Sequence, residues 1–203
     1  MAKDSLLDAV WQRLEPLLPR QRRNRHVQFA GRKPAEPRQV LAGILFVLRT
    51  GVPWRCLPAT SDFPSGFTCW RRLRRWHRRG IWRRLQENLL AELHRHRRID
   101  WSRAIVDSAS VRALGGGRKT GPNPTDRRKR GSKHHLATDR RGIPLASLLT
   151  KANRHDIAAL LPLLQKIPRV RGRRGRPRRR PDAVQGDRAY DSEPHRRKLK
   201  KRG

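Results

Sequence analysis

The excess of basic side chains is the feature that most constrains how this chain can fold. The sequence has 51 Lys and Arg against 16 Asp and Glu, which gives a formal net charge of +35 over 203 residues. Like charges at this density repel one another and oppose a compact state unless a partner neutralises them. Basic side chains that neutralise phosphates release counterions from a nucleic acid, which favours binding. The composition therefore predicts a protein that contacts nucleic acid.

The cysteine content and the hydropathy pattern indicate where such a protein acts. Cys56 and Cys69 are the two cysteines, and they make no disulfide framework. Their spacing to His77 and His94 matches no familiar zinc pattern, so we expect packed, reduced thiols. The first residues lack the apolar core of a signal peptide, and the longest apolar run, VLAGILFVL, is too short to cross a bilayer. We therefore predict a cytoplasmic protein with no membrane partner.

The first part of the chain has helical periodicity. An amphipathic helix is predicted in DSLLDAVWQRLEPLLP, capped by Asp4 or Ser5 and ended by Pro19. A buried helix is predicted in PRQVLAGILFVLRTG, with Pro37 in its first turn and Gly51 at its C-terminal end. The sequence therefore predicts a helical N-terminal domain.

A densely basic helix is predicted in PSGFTCWRRLRRWHRRG. Apolar residues recur every three positions from Phe67 to Trp76, and Gly80 separates this helix from a second one in IWRRLQENLLAELHRH. Two helices joined by a short turn resemble a helix-turn-helix, and the alternative is a core helix with a solvated face. We expect phosphate contact from its six arginines, which are Arg71, Arg72, Arg74, Arg75, Arg78 and Arg79.

The composition changes near residue 100, where strand patterns begin. RAIVDSASVRA predicts a strand, and SKHHLATDRRGIPLASLLT predicts a hairpin around the turn from Asp139 to Gly142. HDIAALLPLLQKI predicts a helix capped by Asp156, and DAVQGDRAY predicts a short strand before a last helix. A hairpin followed by a helical crossover gives a mixed sheet. The predicted fold class is α/β, with domains at residues 1–99 and 100–203.

Two aspartates follow short apolar stretches in this second domain. Asp107 comes after RAIV, and Asp187 comes after DAVQG. Neighbouring parallel strands bring their carboxyl ends together, and two carboxylates at that edge repel each other unless a cation lies between them. Oxygen ligands suit Mg²⁺ or Mn²⁺, and a two-metal site clamps the oxygens of a phosphodiester. The alternative is that Asp107 is a structural acid paired with an arginine.

Several motifs together resemble bacterial insertion-sequence transposases of the Asp-Asp-Glu (DDE) type. They are VDSASVRA, TGPNPTDRRKRGSKHHLATDRRGIPL, ANRHD and GDRAYDS, preceded by GILFVLRTGVPWRCLP and CWRRLRRWHRRGIWRRL. The resemblance covers nearly the whole chain. It implies a ribonuclease H-like fold, metal-dependent hydrolysis at transposon ends in double-stranded DNA, and attack of the freed 3′ hydroxyl on target DNA. It also implies a homo-oligomer assembled on paired ends.

The resemblance also implies roles for single residues. Asp107 corresponds to the first catalytic acid and Asp187 to the second. Asp191 belongs to the last motif, where we expect it to cap the following helix. Lys133, His134 and His135, in KHH, either face DNA or support the sheet.

The third acid of the family, a glutamate on a later helix, has no clear counterpart. Sixteen residues follow Asp187, and Glu193 is the one glutamate among them. We expect Glu193 to lie in the first turn of a helix and not at the metal. The expectation is a truncated transposase, or the first frame of a frameshifted one, with an incomplete sheet and metal clamp, low stability and little strand transfer.

Three functions remain open on the sequence. The first is a transposase that acts on DNA with Mg²⁺ or Mn²⁺. The second is a non-catalytic DNA-binding product that recognises transposon ends or inhibits the full enzyme. The third is a basic RNA-binding protein of the ribosomal type, which gives no reason for paired acids.

Overall fold

A computed structural model describes residues 5–19, 34–58, 60, 62–172 and 174–201. The chain divides into two compact units, Met1–Asn88 and Leu89–Gly203. This division falls within the fourth helix, whereas the composition places the change near residue 100. Within the described ranges, no helix is both long and apolar enough to span a bilayer.

The first unit is helical, as the periodicity predicts. Its helices are α1 (Ser5–Leu14), α2 (Pro37–Thr50), α3 (Gly66–Arg78) and the first part of α4 (Ile81–Arg95), with short 3-10 turns at Glu15–Leu17 and Trp54–Cys56.

The ends of α1 and α2 show which local signals act. The predicted end of α1 at Pro19 is wrong, because the helix stops at Leu14 and Pro16 follows in a 3-10 turn. A proline ring at that point clashes with the carbonyl four residues earlier. The predicted stop of α2 is confirmed, since Gly51 adopts φ 70°. Asp4 lies outside the described residues.

The first core forms where α1, α2, α3 and α4 bury their apolar sides. Gly43 of α2 allows close approach to α3, because a Cβ there would lie 2.7 Å from the Cys69 Sγ atom. The buried members of this core are Leu14, Val40, Leu41, Ile44, Val47, Leu57, Cys69, Trp76, Ile81 and Leu85.

The second unit contains a mixed sheet, and the predicted order of strands and helices is confirmed. Its elements are β1 (Ala104–Arg112), β2 (Gly121–Pro122), β3 (Arg130–Asp139), β4 (Pro144–Lys151), α5 (Ile157–Gln165), β5 (Val184–Gln185) and α6 (Glu193–Lys200). β3 pairs antiparallel with β1 and β4, and β5 pairs parallel with β1. β2, which the sequence pattern does not predict, adds two residues beside the start of β3.

The hairpin between β3 and β4 turns where the sequence predicts. Asp139 is fully buried, and its carboxylate accepts hydrogen bonds from the backbone N–H groups of Arg141, Ile143 and Asp100 at 2.8–2.9 Å. Gly142 adopts φ 85° in the same turn. A buried carboxylate is tolerated here because three donors satisfy it.

The two faces of the sheet differ in burial. Val106 and Ala137 pack with Leu160 and Leu163 of α5 on one face. Side chains alternate along a strand, so Leu136 and its neighbours on the opposite face are partly exposed. The helix α5 therefore anchors one side of the sheet.

We expect Leu163→Ala to lower the free energy of unfolding by about 2–5 kcal/mol, because it leaves a cavity under the sheet. Leu163 has no exposed surface. Leu136→Ala, on the 40% exposed opposite face, is the matched control and should cost less than about 1 kcal/mol. Urea unfolding followed by circular dichroism measures both. Equal losses would contradict the packing of α5 on this face.

Candidate active site

The parallel pairing of β1 and β5 organises the site. Ala104 pairs with Val184, and Ile105 pairs with Gln185. Asp107 follows Ile105 by two residues, and Asp187 follows Gln185 by two residues, in the turn after β5. Gly186 permits close packing here, since a Cβ there would lie 2.8 Å from a methyl carbon of Val106 and 3.0 Å from the Tyr190 ring.

Asp107 lies in the middle of β1 and not at its end. It is the fourth of nine residues, and the strand continues through Arg112 because it pairs with β3 as far as Gly131. The expectation that Asp107 lies at the tip of its strand was therefore wrong. The change from apolar to polar residues along β1 marks the point where side chains become exposed, and not the end of the strand. Asp107 is exposed, and its Oδ1 accepts a hydrogen bond from the Ser108 backbone N–H at 2.7 Å.

Asp187 begins the turn that follows β5. It is exposed, and its Oδ1 accepts a hydrogen bond from the Ala189 backbone N–H at 3.0 Å. Within the described part of the chain, neither Asp107 nor Asp187 forms an ion pair. An arginine pair for Asp107, the alternative considered from the sequence, is thus not seen among those residues.

A buried polar group lies between β3 and this turn. His135 is 1% exposed, with Nδ1 3.3 Å from the Tyr190 hydroxyl and Nε2 2.9 Å from the Thr150 hydroxyl. Tyr190 is also buried and follows Asp187 by three residues. The contact therefore ties the Asp187 turn to the centre of the sheet.

Asp156 completes this group from the start of α5. Its carboxylate accepts hydrogen bonds from the Ser108 hydroxyl at 2.8 Å and from Lys133 Nζ at 3.1 Å, and lies 3.7 Å from His135 Nδ1. Asp156 occupies the N-cap position of α5, as predicted, but its side chain makes no cap hydrogen bond. Its side chain bonds instead to Lys133 and Ser108, which lie 23 and 48 residues away in the chain, and not to the backbone N–H groups of the first helical turn.

The charges of three carboxylates act on the hydroxyl of Tyr190. The pKa of this hydroxyl is raised to about 12, mainly by burial; a hydrogen bond with Ser108 lowers it, and the charges of Asp156, Asp107 and Asp187 add to the rise. One hydroxyl therefore lies within electrostatic range of both acids of the candidate site. Tyr190 is the single tyrosine of the chain.

Burial also lowers the pKa of His135. The charge of Asp156 opposes this shift, whereas Lys133, Arg154 and His134 add to it. The imidazole is thus held neutral in the folded chain at a pH where an exposed histidine begins to take up a proton.

The two other residues of KHH lie on different faces. Lys133 donates to Asp156 and to the Arg154 carbonyl oxygen, contacts that favour support of the fold. His134 is exposed and pairs across the sheet with Ala109, on the face that carries Asp107. A DNA contact therefore suits His134 better than Lys133.

The acids after Asp187 pair with arginines of α6. Glu193 lies in the first turn, as predicted, and accepts a hydrogen bond from Arg197 at 3.0 Å. Asp191 was expected to cap this helix, but Ser192 occupies the cap position and Asp191 pairs with Arg196 at 2.7 Å. The described residues contain no group of three or more His, Cys, Asp or Glu suited to a metal ion.

The cysteines lie in the helical unit. Cys69 is buried, and burial raises the pKa of its thiol to about 11, whereas Cys56 is exposed. A high thiol pKa keeps Cys69 protonated and disfavours metal ligation.

Five arginines of α3, together with Arg79 at its C-cap, form a positive surface. Arg72 is half-buried, and its pKa is lowered by desolvation and by repulsion from Arg75 and Arg79. None of the six forms an ion pair with an acid in the described part of the chain. This uncompensated charge favours binding of a polyanion.

Sequence reasoning missed Ser108, Tyr190 and the site role of Asp156. The motifs VDS, ANRHD and GDRAYDS contain all three, but the residues that contact one another come from distant parts of the chain. The single tyrosine of the chain, three residues after Asp187, was the available signal.

Comparisons with known proteins show which family the chain resembles. The family described as a putative transposase of the IS4/5 family matches residues 6–86, and the transposase DDE domain family matches residues 101–203. No solved structure matches the chain at a significant level.

Two curated relatives come from Burkholderia cepacia. The insertion element IS402 uncharacterized 16.2 kDa protein is 52% identical over 124 residues, which cover 61% of this chain and 84% of that protein. The putative transposase for insertion sequence element IS402 is 55% identical over 101 residues, which cover 50% of this chain and 46% of that protein. The second match thus spans about half of the relative's length.

We expect the free energy of unfolding to fall as the pH drops below about 6.5, partly because of His135. Its folded-state pKa is lowered, so the unfolded chain binds more protons in that range, and above it both states are neutral. His135→Gln should therefore weaken the pH dependence between about pH 5 and 6.5. Urea unfolding at several pH values measures it, with exposed His134→Gln as the control. An unchanged slope in His135→Gln would contradict the buried neutral imidazole.

Proposed function

Because the chain belongs to the DDE-domain transposases of the IS4/5 type, we propose that it binds transposon ends and holds a divalent cation between Asp107 and Asp187. The DDE domain implies a ribonuclease H-like fold. DNA transposition is the general activity of this family, and the steps assigned to this chain are the proposal.

The observation that carries the proposal is the pairing of β1 with β5. It brings together the segments of two exposed carboxylates that form no ion pair with described residues, in a chain of net charge +35. Acids in such a chain have many arginines to pair with, and those at Asp126, Asp182 and Asp191 do so. Leaving Asp107 and Asp187 without one favours a cation from solution.

The residues present fit a hard cation, with an incomplete ligand set. Carboxylate oxygens are the ligands of Mg²⁺ and Mn²⁺, but two side chains leave several positions to water or phosphate. A cation held there would supply Lewis-acid stabilisation to a phosphodiester. The chain's own contribution is position: Tyr190 fixes the Asp187 turn, and the β1–β3 pairing fixes Asp107.

DNA binding is assigned to the α3 arginines and His134, with Lys133 in a supporting role. Guanidinium groups suit bidentate phosphate contacts, which give affinity without sequence preference. Strand transfer, for which the ligand set here is incomplete, is proposed from the family alone, and so are a homo-oligomer on paired ends and action in the cytoplasm. The match to the IS402 putative transposase covers 46% of that protein.

A second candidate function is a non-catalytic DNA-binding product. The observation that favours it is the lack of a three-ligand group among the described residues. Incubation of the full chain with an end-containing duplex in Mg²⁺ separates the two functions. Cleavage that is lost in Asp107→Asn and Asp187→Asn supports the enzyme, and specific binding without cleavage supports the binding protein. The family assignment speaks against the third hypothesis, a ribosomal-type RNA-binding protein.

We expect Asp107→Asn and Asp187→Asn each to weaken Mn²⁺ binding by roughly ten-fold or more, since each removes a charged ligand. The loss of the free Mn²⁺ signal in electron paramagnetic resonance measures the affinity without any need for activity. Asp182→Asn makes the same charge change at an exposed acid paired with Arg178 and serves as the control. Mn²⁺ affinity equal to wild type in both site variants would show that the ion binds elsewhere.

We expect Arg75→Ala and Arg79→Ala each to lower the slope of log K against log salt concentration by about 0.9, the value for one lost phosphate contact. Fluorescence anisotropy of a labelled duplex at several salt concentrations gives this slope. Arg49→Ala, at the exposed end of α2, is the matched control. A slope that changes no more than in the control would place the DNA contact on another surface.

A further inference from the structure

Helix α3 keeps two of its aromatic side chains out of the core. Phe67 is 64% exposed and Trp70 is half-buried, whereas Leu73 and Trp76 of the same helix pack into the core. These apolar residues recur every three positions, but one helical turn takes about 3.6 residues, so each step of three falls short of a full turn. Phe67 therefore lies on a different side of the helix from Trp76, which is buried.

The exposed aromatic rings are stacked and flanked by guanidinium groups. The centroids of Phe67 and Trp70 lie 5.9 Å apart with an interplanar angle of 25°. The guanidinium carbon of Arg74 lies 4.7 Å from the Trp70 centroid, and that of Arg71 lies 5.6 Å from the Phe67 centroid. We call these four residues the aromatic ladder.

The positions of the ladder follow from helix geometry. Residues 67, 70, 71 and 74 are separated by three, four and seven positions, so they share one face of α3. The contacts between ring and guanidinium hold flat groups in an ordered column on the surface. An ordered column loses little conformational freedom when a further flat group stacks on it.

The chemistry of the ladder selects its ligand. A membrane would require a wider apolar face, and an acidic protein would pair with the arginines without using the ring faces. A nucleotide uses both, because its base stacks on an aromatic ring and its phosphate binds guanidinium. Bases within a duplex are covered on both faces by their neighbours, so an unpaired base is the one that can stack on a side chain.

We propose that the aromatic ladder binds an unpaired nucleobase of DNA, with the adjoining phosphates on the neighbouring arginines. This inference rests on the proposed function, since it assumes that α3 contacts DNA. It adds to that function a preference for DNA with single-stranded nucleotides next to a duplex, such as a frayed or cleaved end. Phosphate contacts alone give no such preference.

The test compares two DNA probes that carry equal charge. Each has the same duplex and a four-nucleotide 3′ overhang, built from thymidines in one probe and from abasic residues in the other. Fluorescence anisotropy with the full chain gives both dissociation constants. We expect the thymidine overhang to bind roughly ten-fold tighter, the size of one base stacked on an aromatic side chain.

Variants locate the preference on the ladder. Phe67→Leu keeps an apolar side chain but removes the ring, and should reduce the preference to less than roughly two-fold while blunt-duplex binding persists. Phe67→Tyr keeps the ring and should retain the preference. Leu48→Ala changes an equally exposed residue of α2 and is the control. Because Phe67 lies outside the core, circular dichroism of Phe67→Leu should match wild type.

The outcomes distinguish this inference from the proposed function. Equal affinity of wild type for the two overhangs, with firm duplex binding, overturns the ladder and leaves the proposed function standing. A preference that survives in Phe67→Leu also overturns the ladder, because the base then stacks elsewhere. Failure to bind any of the DNA probes overturns the proposed function, and the ladder with it.

Discussion

The parallel pairing of β1 and β5 is the interaction on which the site depends. Two pairs of residues join these strands, and without them Asp187 would have no fixed relation to Asp107. A strand pairing of two residues is weak on its own, and the packing around Gly186 and Tyr190 stabilises it further. Gly186 lets the turn approach Val106, and Tyr190 reaches through to His135 in the middle of β3. The site is thus built on the sheet, and the turn is fastened to it.

Much of this fold follows from pattern, because each element has a local cause. The order of strands and helices, the turn at Asp139 and the end of α2 at Gly51 come from periodicity and turn chemistry. The errors concern side chains whose partners are distant. Asp156 reads as a cap because aspartate commonly caps helices. Ser108, 48 residues earlier, takes that carboxylate instead, and no local rule reveals it.

The position of Asp107 shows a related limit. A strand that leaves the core on one side continues to pair as long as its backbone finds a partner, so a loss of apolar residues does not mark its end. Burial of side chains and pairing of the strand backbone are separate properties. The pattern of apolar residues predicts burial more clearly than it predicts pairing. The parallel pairing of the two segments that carry the acids could still be predicted, because it depends on strand order, whereas the position of Asp107 within its strand could not.

The surroundings of Asp107 differ from those of the arginines on α3. Leu136 lies directly across from Asp107 and Ile105 lies two residues before it, so part of the surface around this acid is apolar. Apolar neighbours neither pair with a carboxylate nor screen it well, which leaves its charge available to an ion from solution. A guanidinium at that point would compete with the cation. Among the described residues, the arginines of α3 form no ion pair with an acid, and neither Asp107 nor Asp187 pairs with an arginine.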